Sequence, residues 1–432
     1  MMTMRKDLLA QNQPSEPAEA FAALIGVDWG DQSHALALLD VARGQVEAST
    51  LEHRPEAIQA WLQQLEQRFG GRPVALALEA GQGPLVQALV PVAWLTLYPI
   101  HTATSARYRT AFRPSGAKDD QPDAQVLLDL LCHHRDKLTP LRPQDEATRA
   151  LDGLCQARRA AVELRTQLSN QLTSTLKGYF PQALDWTGQT LTAPVALDFL
   201  EKWPDLLTLK AARPATVRNF FYAHNVRRPQ TITERLTAIA AARALTTDPA
   251  VVEVRVRVVR MLVGQLRVLA KHLQQFDQAI RQAFAAHPEA DLFRDLPGAG
   301  PALAPRLLTV FGTDRTRYPH ADNLLKYSGL APVKEQSGGR QWIHWRWNAP
   351  RFARQTLIEW AGQTVIFCDW ARAYYQRQRR KGVGHWAALR SLAFRWVRVL
   401  WRCWMDRTPY QEARYVAALR DRGVNVTPEV AA

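Results

Sequence analysis

The sequence of 432 residues lacks several features that would assign it to a class at once. No stretch approaches the ~18 consecutive apolar residues of a membrane-spanning helix, so we expect no membrane span or membrane partner. The widely spaced cysteines fit neither a disulfide framework nor a zinc knuckle; they are Cys132, Cys155, Cys368 and Cys403. Residues 1–20 lack the apolar core of a signal peptide, and we expect a disordered polar tail on a cytoplasmic protein.

Acidic residues are in the minority, and the positive excess is concentrated in one segment. The chain has 55 Lys and Arg against 40 Asp and Glu, a net charge of +15. Residues 334–407 alone carry 15 Lys or Arg and four acids, together with nine of the 14 tryptophans. Basic side chains interleaved with aromatic rings suit a phosphate backbone with bases to stack on. Nucleic acid is therefore the leading partner class, although the charge by itself also fits an anionic membrane surface.

The tryptophans of this segment have two interpretations. Trp360, Trp396 and Trp404 lie in helical patterns, which favours burial in a hydrophobic core over contact with nucleic acid. The cluster from Trp342 to Trp347 lies in a short stretch of alternating residue types, and here we favour nucleic-acid contact.

The first part of the chain, residues 21–140, shows the pattern of an α/β domain. Strand-like runs and amphipathic runs alternate, which indicates a sheet with both faces covered by helices. The predicted strands are Ala22–Asp28, His34–Asp40, Val46–Leu51, Val74–Glu79 and Trp94–Pro99, and the main predicted helices are Pro55–Phe69, His101–Phe112 and Asp120–Lys137.

The middle region, residues 141–290, is helical and contains a small helical insert over residues 184–228. Two long helical segments on either side of this insert predict an antiparallel coiled-coil arm, although the heptads are not strict. The alternative is a helical bundle packed on the first domain. The sequence leaves both arrangements open.

The last predicted domain spans residues 291–415 and is mainly helical, followed by a tail at residues 416–432. It opens with Leu296-Pro-Gly-Ala-Gly-Pro301, which is similar to the turn of a helix-hairpin-helix motif. In that motif small residues, here Gly298 and Gly300, allow backbone amides to approach a phosphate.

Four carboxylates of the first domain form a candidate metal site. Asp28 and Glu79 end two predicted strands, where ligands gather in open α/β sheets. Asp120 and Asp123 are three residues apart and share one helix face; Asp119 is a less suitable alternative to Asp120. Convergent carboxylates repel each other unless cations lie between them, and Mg²⁺ prefers such oxygen ligands. Taken singly, each acid is better explained as a turn or helix-capping residue, and it is their combination that is hard to explain by chance.

At this point the sequence resembles a known family. The order Asp28, Glu79, Asp120, Asp123 is similar to the DEDD tetrad of the insertion-sequence one-ten family of transposases. Further motifs match that family in order and spacing, so that the resemblance extends over residues 24–415; they are Leu296–Pro301, Phe311–Asp314, Tyr327–Pro332, Gln336–Gly339 and Pro350–Leu357.

The resemblance implies a fold and an activity. It implies an RNase H-like, RuvC-like first domain whose tetrad binds Mg²⁺, with two ions in each composite site. It implies a serine in the last domain that attacks DNA and forms a covalent phosphoserine link. The implied partners are donor DNA, target DNA and a structured bridge RNA. The implied assembly is a homo-oligomer, from dimer to tetramer, acting on the nucleoid of a bacterium.

Carried onto this sequence, the family's serine is Ser337, next to Gly338 and Gly339, which would permit close approach of a phosphate. Ser328 also precedes a glycine, but it occupies a position that is structural in the family. The residues expected to contact nucleic acid are Lys118, Gly298, Gly300, Arg340, His344, Arg346 and Arg351. This sequence departs from the family after Ser337-Gly338-Gly339, because the stretch from Arg340 to Arg351 contains no glycine.

Two other functions remain open on sequence grounds. A RuvC-like junction resolvase or nuclease would use the acids to activate water and would not need the serine. A non-catalytic nucleic-acid-binding scaffold would use only the basic segment 334–407.

Overall fold

The computed structural model describes residues 21–79, 81, 83–112, 120–188, 190–346 and 349–423, apart from the side chains of residues 112, 120 and 121. The chain divides into two compact units, with the boundary between Pro143 and Gln144. Within the described residues, no helix is both long and apolar enough to cross a lipid bilayer.

The first unit is a five-stranded sheet with helices on both faces. Its elements are β1 (Ala23–Asp28), β2 (Ser33–Asp40), β3 (Gln45–Glu52), α1 (Pro55–Phe69), β4 (Val74–Leu78), α2 (Pro84–Leu89), β5 (Leu95–Pro99), α3 (Thr102–Phe112) and α4 (Asp120–His134). The strand order is β3-β2-β1-β4-β5, with β1 antiparallel to β2 and parallel to β4. The predicted α/β domain, with all five strands, is confirmed.

Helix α1 shows why the sequence of this unit folds as predicted. Pro55 lies in its first turn, where the missing N–H has no helical partner, and Gly70 ends it with φ of +62° in the left-handed region. Ile58, Leu65 and Phe69 are buried against one face of the sheet. The apolar side chains of α4 are buried on the opposite face. Both faces of β1 and β4 are therefore covered, as their unbroken apolar runs indicate.

The second unit begins with two long helices that enclose a small helical insert. Its first elements are α5 (Glu146–Lys177), α6 (Ala183–Trp186), α7 (Pro194–Lys202), α8 (Leu206–Lys210), α9 (Pro214–Ala223), α10 (Pro229–Ala241) and α11 (Pro249–Ala285). Helices α5 and α11 pack along each other, and the C-terminal end of α5 and the N-terminal half of α11 join the insert in one hydrophobic core. Their other ends join a separate core with the C-terminal helices. The coiled-coil geometry of this pair stays a prediction.

The rest of the second unit is helical except for one β-hairpin. Its elements are α12 (Asp291–Arg294), α13 (Gly300–Phe311), α14 (Ala321–Tyr327), β6 (Val333–Ser337), β7 (Arg340–His344), α15 (Arg351–Phe367), α16 (Asp369–Arg380), α17 (His385–Met405) and α18 (Glu412–Asp421). Trp360 and Trp396 are completely buried and Trp404 is 1% exposed, which confirms their prediction as core residues. The sequence predicts the helices here, and the structure adds the hairpin.

Candidate active site: an acidic strand edge and a serine hairpin

Two acids of the first unit lie side by side at one edge of its sheet. Asp28 is the last residue of β1, and Glu79 directly follows β4. These strands are parallel, and their register pairs Ala23 with Val74 through Val27 with Leu78. Asp28 and Glu79 each directly follow the last pair of this register, Val27 and Leu78. The sequence prediction that these acids meet at the carboxyl ends of neighbouring strands therefore agrees with the sheet.

The third acid is held by close packing between α4 and β1. A Cβ atom at Gly26 would lie 2.1 Å from the carbonyl oxygen of Ala124, so only glycine lets the helix approach this strand so closely. Asp123 precedes Ala124 and is 6% exposed. Its carboxylate lies 2.9 Å from Nε of Arg109 on α3. The buried acid thus has a positive partner, which offsets the cost of burying its charge.

Glu79 also has a partner on α3. The hydroxyl of Ser105, itself buried, donates a hydrogen bond to a carboxylate oxygen of Glu79. Ser105 and Arg109 are one helical turn apart, so that one face of α3 supplies partners to two of the four acids. Neither residue is predicted from the sequence, because an i,i+4 spacing shows only that they share a helix face and not what that face contacts.

The residues of this edge fit a hard divalent cation in donor chemistry, since they offer carboxylate oxygens. Asp120 begins α4 and Pro122 lies in its first turn, but the side chain of Asp120 lies outside the described residues. Among the side chains that are described, no group of three His, Cys, Asp or Glu is arranged to hold a metal ion. One carboxylate oxygen of Asp123, Oδ1, faces Arg109 in this structure.

Ser337 lies at the tip of the hairpin in the second unit. It ends β6 and pairs with Arg340, the first residue of β7. Between them, Gly338 and Gly339 have φ of +52° and +78°, as in a two-residue hairpin turn in which both positions favour glycine. The backbone around Ser337 is exposed and carries no bulky side chain in the turn. The Ser-Gly-Gly sequence therefore forms a tight turn that presents the hydroxyl at an accessible tip.

Alternation along the strands places a set of polar side chains on the same face as Ser337. The register pairs Glu335 with Trp342 and Val333 with His344, and these positions share one face with Ser337 and Arg340. Among the described residues, the exposed side chain of Arg340 has no hydrogen-bond or ion-pair partner. The predicted phosphate ligand Arg340 therefore lies directly across from Ser337.

Glu335 accepts two hydrogen bonds on this face. One comes from Nε1 of Trp342 and the other from Nε2 of His344, each at 2.7 Å. His344 Nδ1 lies 3.0 Å from the carbonyl oxygen of Trp345. The bonds to this carbonyl and to Glu335 raise the pKa of His344, while His344 and Trp342 lower the pKa of Glu335. His344, predicted to contact phosphate, is thus engaged with Glu335, a residue that the sequence analysis did not select.

The base of the hairpin is fixed by cation–π contacts. The guanidinium of Arg390 lies 4.6 Å from the ring centre of Trp345, and that of Arg354 lies 5.3 Å from it. Arg354 also donates a hydrogen bond of 3.3 Å to the carbonyl oxygen of Arg346. Helices α15 and α17 therefore anchor the end of β7, whereas the tip at Ser337 extends away from this anchor.

The other predicted nucleic-acid ligands have varied surroundings. Gly298 has φ of +69° and faces α15, where an added Cβ would lie 2.9 Å from Cβ of Gln363. Gly300 begins α13 and is exposed. Arg351 begins α15, is 79% exposed and lies 3.8 Å from Glu163. Lys118 lies outside the described residues.

Comparison with known proteins agrees with this architecture of an acidic α/β unit and a helical unit with a serine hairpin. The sequence model of the DEDD transposases of IS110 matches residues 25–181, and that of the IS116/IS110/IS902 transposase family matches residues 290–376. Together these ranges cover more than half of the chain. Both descriptions define a transposase, an enzyme that moves DNA. The chain belongs to the IS110 family of transposases.

Individual relatives match nearly end to end. The putative transposase of the mini-circle IS117 from Streptomyces coelicolor is 28% identical over 93% of this chain and 98% of its own length. An uncharacterized 42 kDa protein of insertion element IS900 from Mycobacterium paratuberculosis is 28% identical over 80% of this chain and 85% of its own. A 43.6 kDa protein of IS110 from Streptomyces coelicolor is 25% identical over 91% of this chain and 96% of its own length.

Proposed function

We propose that this transposase cuts and exchanges DNA strands through a covalent intermediate on Ser337. The observation that carries the proposal is the hairpin, which presents Ser337 at an exposed tip with Arg340 across from it. In this reaction the Ser337 Oγ forms a bond to phosphorus and gives up its proton. The phosphorus–oxygen bond to one deoxyribose breaks, and that sugar oxygen takes up a proton. The positive charge of Arg340 would offset the charge that gathers on the phosphate oxygens.

The acidic edge of the first unit would act with this serine. The alignment of Asp28 with Glu79, and the position of Asp123 on a helix packed against the same strand, support a site for Mg²⁺. The mixed sheet order β3-β2-β1-β4-β5 supports an RNase H-like fold for this unit. A bound divalent ion would supply Lewis-acid activation of a poorly nucleophilic hydroxyl. We propose two ions for each site, held by Asp28, Glu79, Asp120 and Asp123.

The substrates and assembly follow from the family resemblance and the charge pattern. The concentration of Lys and Arg in residues 334–407 supports binding of more than one nucleic acid. We propose donor DNA, target DNA and a structured bridge RNA as these partners. A homo-oligomer, from dimer to tetramer, would combine the acidic unit of one protomer with the serine unit of another. The proposed place of action is the bacterial nucleoid.

Trapping of the covalent intermediate tests the proposal. The full-length protein with guide RNA and donor DNA should form a protein–DNA adduct that survives denaturing electrophoresis. Ser337→Ala should abolish the adduct, whereas Gln336→Ala, a change at the exposed neighbour on the other hairpin face, should retain it. Full strand exchange by Ser337→Ala would contradict the proposal and favour water attack by a metal-dependent resolvase.

A further inference from the structure

The hairpin that carries Ser337 also exposes the indole ring of Trp342. Trp342 is 45% exposed, whereas three other tryptophans of the same segment are at most 1% exposed; they are Trp360, Trp396 and Trp404. Large aromatic side chains dominate the energetics of binding surfaces when they are not in a core. The exposure of Trp342 therefore leaves its ring available for binding.

The ring of Trp342 differs from that of its neighbour Trp345. The guanidinium groups of Arg354 and Arg390 both lie near the ring of Trp345. In the part of the chain that the structure describes, the Trp342 ring has no aromatic or cationic partner of this kind. Trp342 thus offers a π-surface that is free to stack, while Trp345 serves to anchor the hairpin.

The orientation of Trp342 is set by the carboxylate opposite it. Its Nε1 donates a 2.7 Å hydrogen bond to Glu335, and the second oxygen of Glu335 is bonded to His344. A ring held at its edge in this way loses less rotational freedom on binding than an unrestrained one. The carboxylate and the imidazole therefore pre-organise the indole on the face that also carries Ser337.

We propose that Trp342 is a stacking platform for an unpaired DNA base next to the phosphodiester that Ser337 attacks, with Glu335 as its positioning residue. This inference rests on the proposed role of Ser337. The adjacent Arg340 supplies charge for a phosphate and Trp342 supplies a flat surface for a base, which are the two components of single-strand binding. Because every base has a π-face, such a platform would not select a sequence by itself.

Binding to single-stranded DNA by the full-length protein tests the platform without any chemistry. The probe is a fluorescein-labelled single-stranded oligonucleotide in EDTA, followed by fluorescence anisotropy, with its duplex form and an RNA of the same sequence as parallel probes. Because stacking on one base contributes substantially to binding affinity, Trp342→Ala should weaken single-strand binding by about 5- to 100-fold. Trp342→Phe should keep most of the affinity because it keeps an aromatic face.

The matched control is Ile343, which follows Trp342 on the same strand. Ile343 is 67% exposed but points to the opposite face of the hairpin, so Ile343→Ala should leave the affinity within about twofold. An equal loss in both variants, or none in Trp342→Ala, would overturn the platform. A loss confined to the RNA probe would overturn the assignment to DNA. A change of oligomeric state in Trp342→Ala, measured by light scattering, without loss of binding would assign the ring to a protein interface instead.

A fluorescent base analogue reports base stacking directly, and so distinguishes it from binding of the phosphate backbone by charge. The emission of 2-aminopurine in the oligonucleotide should be quenched by the intact protein and not by Trp342→Ala. Glu335→Ala should reduce the quenching and Glu335→Gln should restore it, because the amide oxygen still accepts the indole N–H. The same measurements with Ser337→Ala should be unchanged. Quenching without adduct formation by the intact protein would thus reject the nucleophile while keeping the platform.

Discussion

Asp28 is the last residue of β1 and Glu79 directly follows β4, so that both lie at the carboxyl ends of two adjacent parallel strands. Parallel alignment brings both carboxylates to one edge of the sheet, where each would repel the other in the absence of positive partners. In the described structure Ser105 contacts Glu79, and Arg109 neutralises Asp123 nearby. At this edge, two side chains of α3, Ser105 and Arg109, therefore contact two of the acids, Glu79 and Asp123.

The first prediction concerns these two acids. Asp28→Asn and Glu79→Gln should each lower strand exchange by at least ~100-fold, since each would remove a charge that the proposed metal site needs. Asp31→Asn, at an exposed acid three residues from Asp28, is the control and should retain activity. Excision assays with purified variants measure the effect, and circular dichroism checks the fold. Full activity of both tetrad variants would instead support the non-catalytic scaffold.

The second prediction concerns the close contact between β1 and α4. Gly26→Ala would place a Cβ atom 2.1 Å from the carbonyl oxygen of Ala124, so α4 must move. We expect a loss of unfolding free energy of about 1–3 kcal/mol or more, together with reduced activity, because Asp123 moves with the helix. Gly153→Ala, in α5 with no atom near the added Cβ, should stabilise by about 0.5–1 kcal/mol. Denaturant unfolding measures both; an undiminished stability of Gly26→Ala would contradict this packing.

The third prediction concerns the hairpin turn. Both Gly338 and Gly339 have left-handed backbone conformations, in which alanine costs about 1–2 kcal/mol. The double alanine variant should therefore lose most adduct formation by Ser337. Gly338→Asn should retain it, because Asn-Gly is the preferred sequence of such turns. Equal activity of the double alanine and asparagine variants would show that the turn geometry does not matter for the reaction.

The fourth prediction concerns pH. The pKa of His344 is raised in the folded chain. Its bond to Glu335 therefore contributes fully to folding stability below the pKa of about 6.5 that His has in the unfolded chain. This contribution is lost as the pH rises through the higher pKa of the folded chain. NMR titration should give a midpoint for His344 above 6.5, and Glu335→Gln should lower that midpoint. The protection of the hairpin amides, relative to their intrinsic exchange rates at each pH, should fall as the pH passes the midpoint. A midpoint at or below 6.5 in the intact protein would contradict the contact.

The regular elements were accessible to sequence reasoning because their signals are local. The bounds of α1 follow from Pro55 and from the glycine after Phe69, and the strands of the first unit follow from buried apolar runs. The hairpin was not predicted because β6 has a single apolar residue, Val333, and all but one of its residues are exposed. Its turn glycines were recognised only as permitting close approach to a phosphate.

The partners of the candidate site were less accessible because they depend on tertiary contacts. The pairing of Arg109 with Asp123 depends on how α3 packs against α4, which no periodicity in either helix determines. The bonds from Trp342 and His344 to Glu335 depend on the register of the hairpin. The acids and Ser337 could therefore be selected as candidates from the sequence and its family resemblance. The residues that contact them, or that form hydrogen bonds beside them, could not.

The anchoring of the hairpin at Trp345 has a consequence for the timing of cleavage. A two-stranded hairpin is marginally stable alone, and here the contacts with Arg354 and Arg390 hold its base. Ser337 lies at the far end, so we expect the tip to open at a lower free energy than the base. On the proposed function, a strand that stacks on the hairpin would close this opening and order the serine. The reactivity of Ser337 would then rise only once DNA is in place, and this delay would protect the chromosome from cuts that have no strand to join.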